Sequence, residues 1–427
     1  MHIAIIGAGF TGLSAAYELQ KSNIDVTIYE KESEPGGLAI GYKNDNWEWA
    51  LEKHYHHIFT SDTAIRELAK QIGVEFRFYR PNTSSLVDGD IYQLDSPLKV
   101  LEFPKLSIAE RIRMGMVLAY LRYVADWKEI EQYTTHEWLL EKMGKNAYQM
   151  LWKPLMVSKF GPYYKEISLA WFWARVKARS PKLGYPDGGF QNMVEVLAEK
   201  IEERGGVIRY DTPTHQLAQN GQKTVVKING EQYEYDAVIV TVPNILFSKM
   251  TPELPQNYHE QLLSFEGIGA VNMVLELDKP FFKNDVYWLS ICEKGFPFLA
   301  VVEHTNLIDK SHYNNKQILY VGNYLPHNHE YFSKTPEELL KIYDPYLKKL
   351  NPEYRKSIKD ITVFKVPFAQ PIVTKKFSEK VLPFETPIEN LYLANMQQVY
   401  PWDRGTNYAV DKGLQVARHV VKKYKSR

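Results

Sequence analysis

Gly7-Ala8-Gly9-Phe10-Thr11-Gly12 follows the apolar run His2–Ile6 and opens a helical stretch, residues 11–21, with Leu13, Ala16, Tyr17 and Leu19 on one side. A second apolar run, residues 26–29, ends at Glu30. Strand, glycine turn, helix and strand in this order make a dinucleotide-binding βαβ unit. Gly7 permits the tight turn, Gly9 lets a pyrophosphate approach the backbone, and Gly12 lets helix and strand pack closely. The helix N-terminus then offers free N–H groups and the positive end of its dipole to the phosphates. Glu30 stands where a carboxylate accepts hydrogen bonds from a ribose. A chance glycine turn with Glu30 as a surface charge is the plain alternative; the flanking strands and helix argue against it.

The run Glu30-Lys31-Glu32-Ser33-Glu34-Pro35-Gly36-Gly37 carries a second glycine pair. Another close backbone approach just after the acidic strand is a habit of flavin-binding chains, so FAD is the expected cofactor rather than NAD.

At 427 residues the chain is too long for one core, and two or three domains are expected. Apolar residues make up 44% and charged residues 24%, an ordinary globular composition. The net charge of +1 and the lack of a long Lys/Arg run argue against a nucleic-acid partner. The single cysteine, Cys292, lies in the apolar run 288–292. It excludes an internal disulfide and thiolate metal sites, and buried packing is its expected role. No signal peptide and no run of roughly 20 apolar residues is present, so a cytoplasmic protein is expected.

Residues 107–160 read as helical, with Ile108, Ile112, Met116, Ala119 and Tyr123 at helical spacing. Ser107 with Glu110 makes a capping box, and Thr134 or Thr135 caps the following helix. The stripe over residues 108–127 is expected to pack into the core; peripheral contact with a membrane surface is the alternative. Further on, Asn229-Gly230 is a hairpin turn between short strands, and residues 236–242 form a buried parallel strand closed by Pro243. Residues 267–325 read as sheet, residues 391–394 as one more buried strand, and residues 408–423 as the final helix. Nucleotide-binding elements thus lie at the start, middle and end of the chain. The expected fold is α/β: a Rossmann-like, discontinuous FAD-binding domain (residues 1–60, 181–265 and 385–427) with a parallel sheet and a βαβ start. To it are added a mixed-sheet substrate domain (61–104 and 266–384) and a helical insertion (105–180).

Four segments carry a family resemblance. Residues 3–37 resemble the N-terminus of the flavin amine oxidase, protoporphyrinogen oxidase and phytoene desaturase superfamily, with UDP-galactopyranose mutase a relative in the same fold group. Gly188-Gly189-Phe190-Gln191-Asn192-Met193 is similar to its mid-chain Gly-Gly helix start. Asp236-Ala237-Val238-Ile239-Val240-Thr241-Val242-Pro243 is similar to its Asp-Ala-Val-Ile-x-Thr-x-Pro strand. Leu391-Tyr392-Leu393-Ala394-Asn395 and residues 405–413 resemble the last flavin segment. In segment order the resemblance covers nearly the whole chain.

The resemblance implies one dissociable FAD. Its contacts would come from Gly7, Gly9, Phe10, Thr11, Gly12, Glu30, Lys31, Gly36, Gly37, Leu38, Thr214, Thr241, Pro243, Asn395, Gly405, Thr406 and Asn407. It also implies oxidation or dehydrogenation of a C–N or C–C bond of a bulky small molecule, with hydride passing to flavin N5. Departures are visible. Leu38 replaces an arginine, Ala394-Asn395 replaces Gly-Asp or Gly-Glu, and Asn272 falls where amine oxidases place a lysine. A non-redox sugar-nucleotide mutase and an FAD-binding protein without catalysis therefore stay open.

Glu52-Lys53-His54-Tyr55-His56-His57 is the most unusual local feature, and by family position it passes the flavin ring. His56 or His57 is the expected acid or base; metal binding is not expected, and backbone hydrogen bonding is the plain alternative. The aromatic and basic segments 152–161 and 171–175 either wall a pocket for a bulky apolar substrate with an anionic group or pack as helix core. Oligomeric state has no signal in the sequence.

Overall fold

The computed structural model describes residues 1–425. Its first sheet has five strands in the order Val207–Arg209, Asp25–Tyr29, His2–Ile6, Ala237–Val240, Leu391–Leu393, every pairing parallel. His2–Ile6 is central and buried from Ile3 onward, and Ala237–Val240 is buried throughout, as apolar runs inside a parallel sheet must be. The sheet draws its strands from the beginning, middle and end of the chain. The helices Phe10–Gln20 and Thr406–Lys425 cross over it, with the backbones in direct contact. A Cβ on Gly413 would lie 2.3 Å from the Thr11 carbonyl oxygen.

A second, mixed sheet has seven strands in the order Ile358–Pro371, Gly267–Leu277, Gln317–Leu325, Ala300–Glu303, Val286–Ile291, Asn82–Val87, Asp90–Gln93. Gly267–Leu277 is buried over nearly its whole length. Helix Pro336–Leu350 covers the outer face, burying Leu339, Tyr343 and Leu347 with Met273, Leu275 and Val321. The hairpin at Asn229-Gly230 forms with both residues at positive φ, which is what a two-residue turn between twisted strands requires.

Helices Pro97–Leu101 to Leu169–Ala178 form the helical region. Ser107 and Glu110 make the capping box of helix Ile108–Tyr123, and Thr134 caps Thr135–Met143. The expected inward stripe, however, faces outward. Ile108 is 69% exposed, Ile112 48%, Met116 62% and Tyr123 75%, and Ala119 is exposed too; only Met114 and Leu121 are buried. Arginine partners fix the helix's rotation. Arg111 donates to the carbonyls of Leu101 and Leu106, Arg113 to those of Glu141 and Lys142, and Arg122 to those of Val176 and Arg179. Apart from Leu106, which precedes the N-cap Ser107, these acceptors lie at or near helix C-terminal ends, where carbonyls lack intrahelical partners. The arginines flank the inward side, which carries Met114 and Leu121, and the apolar stripe is left outside. Cys292 is buried, as expected, with its thiol against the Leu151 carbonyl and pushed up to about 12 by burial. No described helix is long and apolar enough to cross a membrane.

Candidate active site and cofactor cradle

The turn after His2–Ile6 is built from backbone in close approach. Gly7, Gly36 and Gly37 have φ of 105°, 146° and 59°, and Gly9 bridges Gly36 in parallel. A Cβ on Gly12 would lie 2.0 Å from the Gly7 carbonyl oxygen, and one on Gly7 would strike Thr241 Oγ1 at 2.7 Å. Gly9 caps helix Phe10–Gln20 without a side chain, so its first-turn N–H groups have no side-chain partner. Glu30 is buried at the end of its strand; one carboxylate oxygen accepts from Ala8 N at 2.7 Å, the other from Glu32 N at 3.0 Å. The Thr212 N–H, donating to the Glu30 carbonyl at 2.8 Å, brings in the neighbouring Thr214, whose buried hydroxyl has no partner. The free helix N-terminus, the unobstructed glycine backbone, a buried carboxylate and an unpartnered hydroxyl beside it suit the ADP half of a dinucleotide.

The other expected contacts fall as follows. The ring of Phe10 is core, packed edge-on against Phe190, so only its N–H faces the cradle side. Lys31 is exposed and paired with Glu32. Leu38 is half-buried in the turn Gly37–Ala39. Thr241 Oγ1 donates to the Ile6 carbonyl at 2.8 Å, and Pro243 leads into helix Asn244–Met250. Gly405 is open, and Thr406 and Asn407 are buried at the start of the final helix, Asn407 Oδ1 accepting from Ile65 N at 3.2 Å. Asn395 is fully engaged within the protein. Its side-chain amide donates to Val242 O and Asn244 Oδ1, and its backbone N–H to Gln398 Oε1, so every donor is spent inside the protein.

Lys53–His57 are held from below and behind. Glu52, fully buried, accepts Phe190 N at 2.8 Å at the start of helix Gly189–Glu202, and the Tyr185 hydroxyl at 2.8 and 2.9 Å. Burial pushes its carboxyl up to about 7 against those hydrogen bonds. Tyr320 donates to the Glu52 carbonyl at 2.7 Å, and Asn272 Nδ2, from the floor strand, to the Lys53 carbonyl at 3.0 Å. Asn272 thus braces the loop, and its Oδ1 is buried without a partner.

The three imidazoles are surrounded by protein yet keep accessible surface, so they line an internal recess. Burial, reinforced by Arg404, holds His56 down to about 4. Burial, followed by neighbouring positive charge, holds His54 and His57 down to about 3. All three are neutral at pH 7. His56 Nδ1 meets the His54 carbonyl, which only accepts, so Nδ1 carries the proton and Nε2 presents a lone pair. His57 Nδ1 lies 3.3 Å from the Tyr287 hydroxyl.

The facing wall is ionic. Asp403 accepts Arg175 at 2.7 Å, Trp171 Nε1 at 2.9 Å and Gln370 Nε2 at 3.3 Å, with Lys159 Nζ 3.5 Å away. Burial opposes its charge, but Lys159, Arg175 and Arg404 together hold the carboxyl well below its ordinary range. Burial pushes Lys159 down to about 7 despite Asp403. Arg404 donates to Gln370 Oε1 at 3.1 Å and to the Tyr324 hydroxyl. In the segments expected either as pocket wall or as core, Trp171 is buried, and Lys159 and Arg175 reach Asp403. Asp403 and Arg404 were absent from the expected site, and their only sequence signal was adjacency to Gly405. Glu52 was read only as the first residue of the histidine run.

A parallel sheet with this glycine cradle, joined to a mixed sheet over a histidine-lined recess, defines a dinucleotide-dependent flavoenzyme. The chain belongs to the flavin containing amine oxidoreductase family, whose sequence pattern matches residues 10–421. It is 27% identical over 326 residues to coproporphyrinogen III oxidase of Staphylococcus aureus, covering 66% of this chain and 68% of that one. Cyclohexylamine oxidase from Brevibacterium oxydans has the same fold, with a TM-score of 0.78 at 14% identity and 99% of each chain covered. So has reduced UDP-galactopyranose mutase, with a TM-score of 0.79 at 16% identity and 99% and 94% covered. The protein is an FAD-dependent oxidoreductase of this family that acts on small molecules.

Proposed function

We propose that the enzyme oxidises or dehydrogenates a C–N or C–C bond of a bulky small molecule bound in the histidine recess, with His56 as the base. Bound FAD supplies the hydride acceptor. The cradle glycines, Glu30 and Thr214 would hold its ADP half, and Thr406 and Asn407 would lie toward its ring. The chain's own part is to orient the substrate, exclude water and take the proton that leaves with the hydride. The observation carrying this is the tautomer of His56: a neutral ring with its Nε2 lone pair free and its other nitrogen locked. His57, against Tyr287, is the second candidate.

The test is anaerobic mixing of the oxidised holoenzyme with coproporphyrinogen III, named by the Staphylococcus aureus relative, and with cyclohexylamine. Flavin bleaching by the bulky compound is expected. His56→Ala should retain FAD and lose about a hundredfold in bleaching rate, the ordinary worth of a general base; an unchanged rate removes His56. If no compound bleaches the flavin, but the pre-reduced enzyme interconverts sugar-nucleotide isomers, the non-redox alternative replaces the oxidase. A cytoplasmic location goes with the buried free thiol of Cys292. The outward stripe of helix Ile108–Tyr123 supports peripheral membrane contact; failure to float with phospholipid vesicles discards it.

A further inference from the structure

We propose that Glu52 and Gln191 form a reciprocal clasp, a pair of positioning residues that fixes where His56 stands relative to the glycine cradle. This rests on the reading of the recess as the substrate chamber and of His56 as its base.

The chain between cradle and recess is a slight ribbon. After the Gly36-Gly37 turn it runs as Gly41–Tyr42, which pairs antiparallel with Leu51–Glu52 in the register Gly41↔Glu52. Lys53–His57 follow directly. Two such short strands do not hold a fixed shape by themselves. The start of helix Gly189–Glu202 closes on them. The Phe190 N–H donates to the Glu52 carboxylate at 2.8 Å, and the Gly41 N–H donates to the Gln191 side-chain oxygen at 2.9 Å. Ribbon and helix thus each lend a side chain to the other's backbone. The close approach depends on Gly189, at φ 86°, where a Cβ would lie 2.8 Å from the Ala50 carbonyl oxygen.

The same helical turn reaches both sites. Gln191 Nε2 donates at 3.1 Å to the carbonyl of Pro35, the residue before the Gly36-Gly37 turn. The Phe190 ring meets Phe10, at the start of the cradle helix, with centres 6.4 Å apart, and the His56 ring with centres 5.7 Å apart. Both clasp side chains are buried. Among the described residues no cation pairs with Glu52, whose carboxylate is held by the Phe190 N–H and the Tyr185 hydroxyl alone. A leucine would pack there without the cost of desolvating a charge. It could not hold a direction, which is what a hydrogen-bonded carboxylate at a helix start provides.

The clasp is tested by effects that cross it. Flavin release from the holoenzyme into flavin-free buffer, followed by free-flavin fluorescence, reads the cradle. Acylation of His56 by diethyl pyrocarbonate, followed by peptide mass, reads the loop without turnover. Glu52→Leu is expected to speed flavin release about tenfold, the worth of a lost hydrogen bond to a charged group. Glu52→Gln should fall between, because its amide oxygen still accepts from Phe190. Gln191→Leu is expected to speed His56 acylation about threefold or more, since a loosened loop opens more often. Glu199→Gln, exposed on the same helix, should move neither. Unchanged release in Glu52→Leu or unchanged acylation in Gln191→Leu overturns the clasp. Equal changes in Glu199→Gln would overturn it too, as plain loosening of the helix. Should Glu52→Leu fail to fold, Glu52→Gln and Gln191→Leu decide. Crossing effects without flavin bleaching by any compound would sink the redox function and spare the clasp. Bleaching without crossing effects would do the reverse.

Discussion

Helices Phe10–Gln20 and Ile108–Tyr123 both open on clear N-terminal signals, yet their surroundings are opposite. The first buries nine of its eleven residues and meets other backbone at Gly12 and, through Thr11, at Gly413. The second buries two of sixteen and carries its apolar stripe on the outside, because three arginines reach inward to carbonyls on other helices. Backbone proximity holds one in place and long side chains hold the other. A helix's apolar stripe finds the core only when nothing stronger sets its rotation.

The largest effect that separates the two is at Gly12. Gly12→Val should cost at least about 3 kcal/mol and abolish FAD retention, since the displaced partner is backbone and cannot yield. Flavin content and a thermal melt check it; a stable yellow variant would break the account of the first helix. Next is Arg122→Leu, which frees the carbonyls of Val176 and Arg179. About 2 kcal/mol should be lost in denaturant unfolding, whereas a loss no larger than surface noise would show that the arginines do not set the second helix.

A smaller effect belongs to the loop between these regions. His54, His56 and His57 are held neutral by burial when folded, whereas an unfolded imidazole protonates near pH 6.5. Their contribution is complete above that pH. It is lost as pH falls from about 6.5 toward 4 for His56 and further for the other two. Melting temperature should fall across that window, and His56→Asn should flatten part of the slope; an unchanged slope would mean the ring is not sequestered. The smallest effect is on the outward stripe. Met116→Gln should change stability by less than about 0.5 kcal/mol; a much larger loss in chemical denaturation would put that face against protein.

The sequence reads well where glycines speak for the backbone. Gly7, Gly9, Gly12 and the Gly36-Gly37 pair each report a local steric need, so the cradle, its strands and its helix are legible within about 35 residues. The Ser107–Glu110 capping box and the Asn229-Gly230 turn are legible too, because each is a local signal within a few residues. The recess is less so. Asp403 matters through partners more than 200 residues away, Trp171 and Arg175. The engagement of Asn395 by Val242, Asn244 and Gln398 likewise has no sequence signal. The rotation of helix Ile108–Tyr123 depends on carbonyls at other helix ends, which no periodicity encodes.

The most direct test is the flavin itself. The purified protein should show a flavin absorption spectrum, and acid precipitation should release FAD, identified by mass, at one per chain into the supernatant, with Gly9→Leu losing most of it. A colourless protein that cannot be reconstituted with FAD, or flavin content untouched by Gly9→Leu, would contradict the cradle on which the whole account stands.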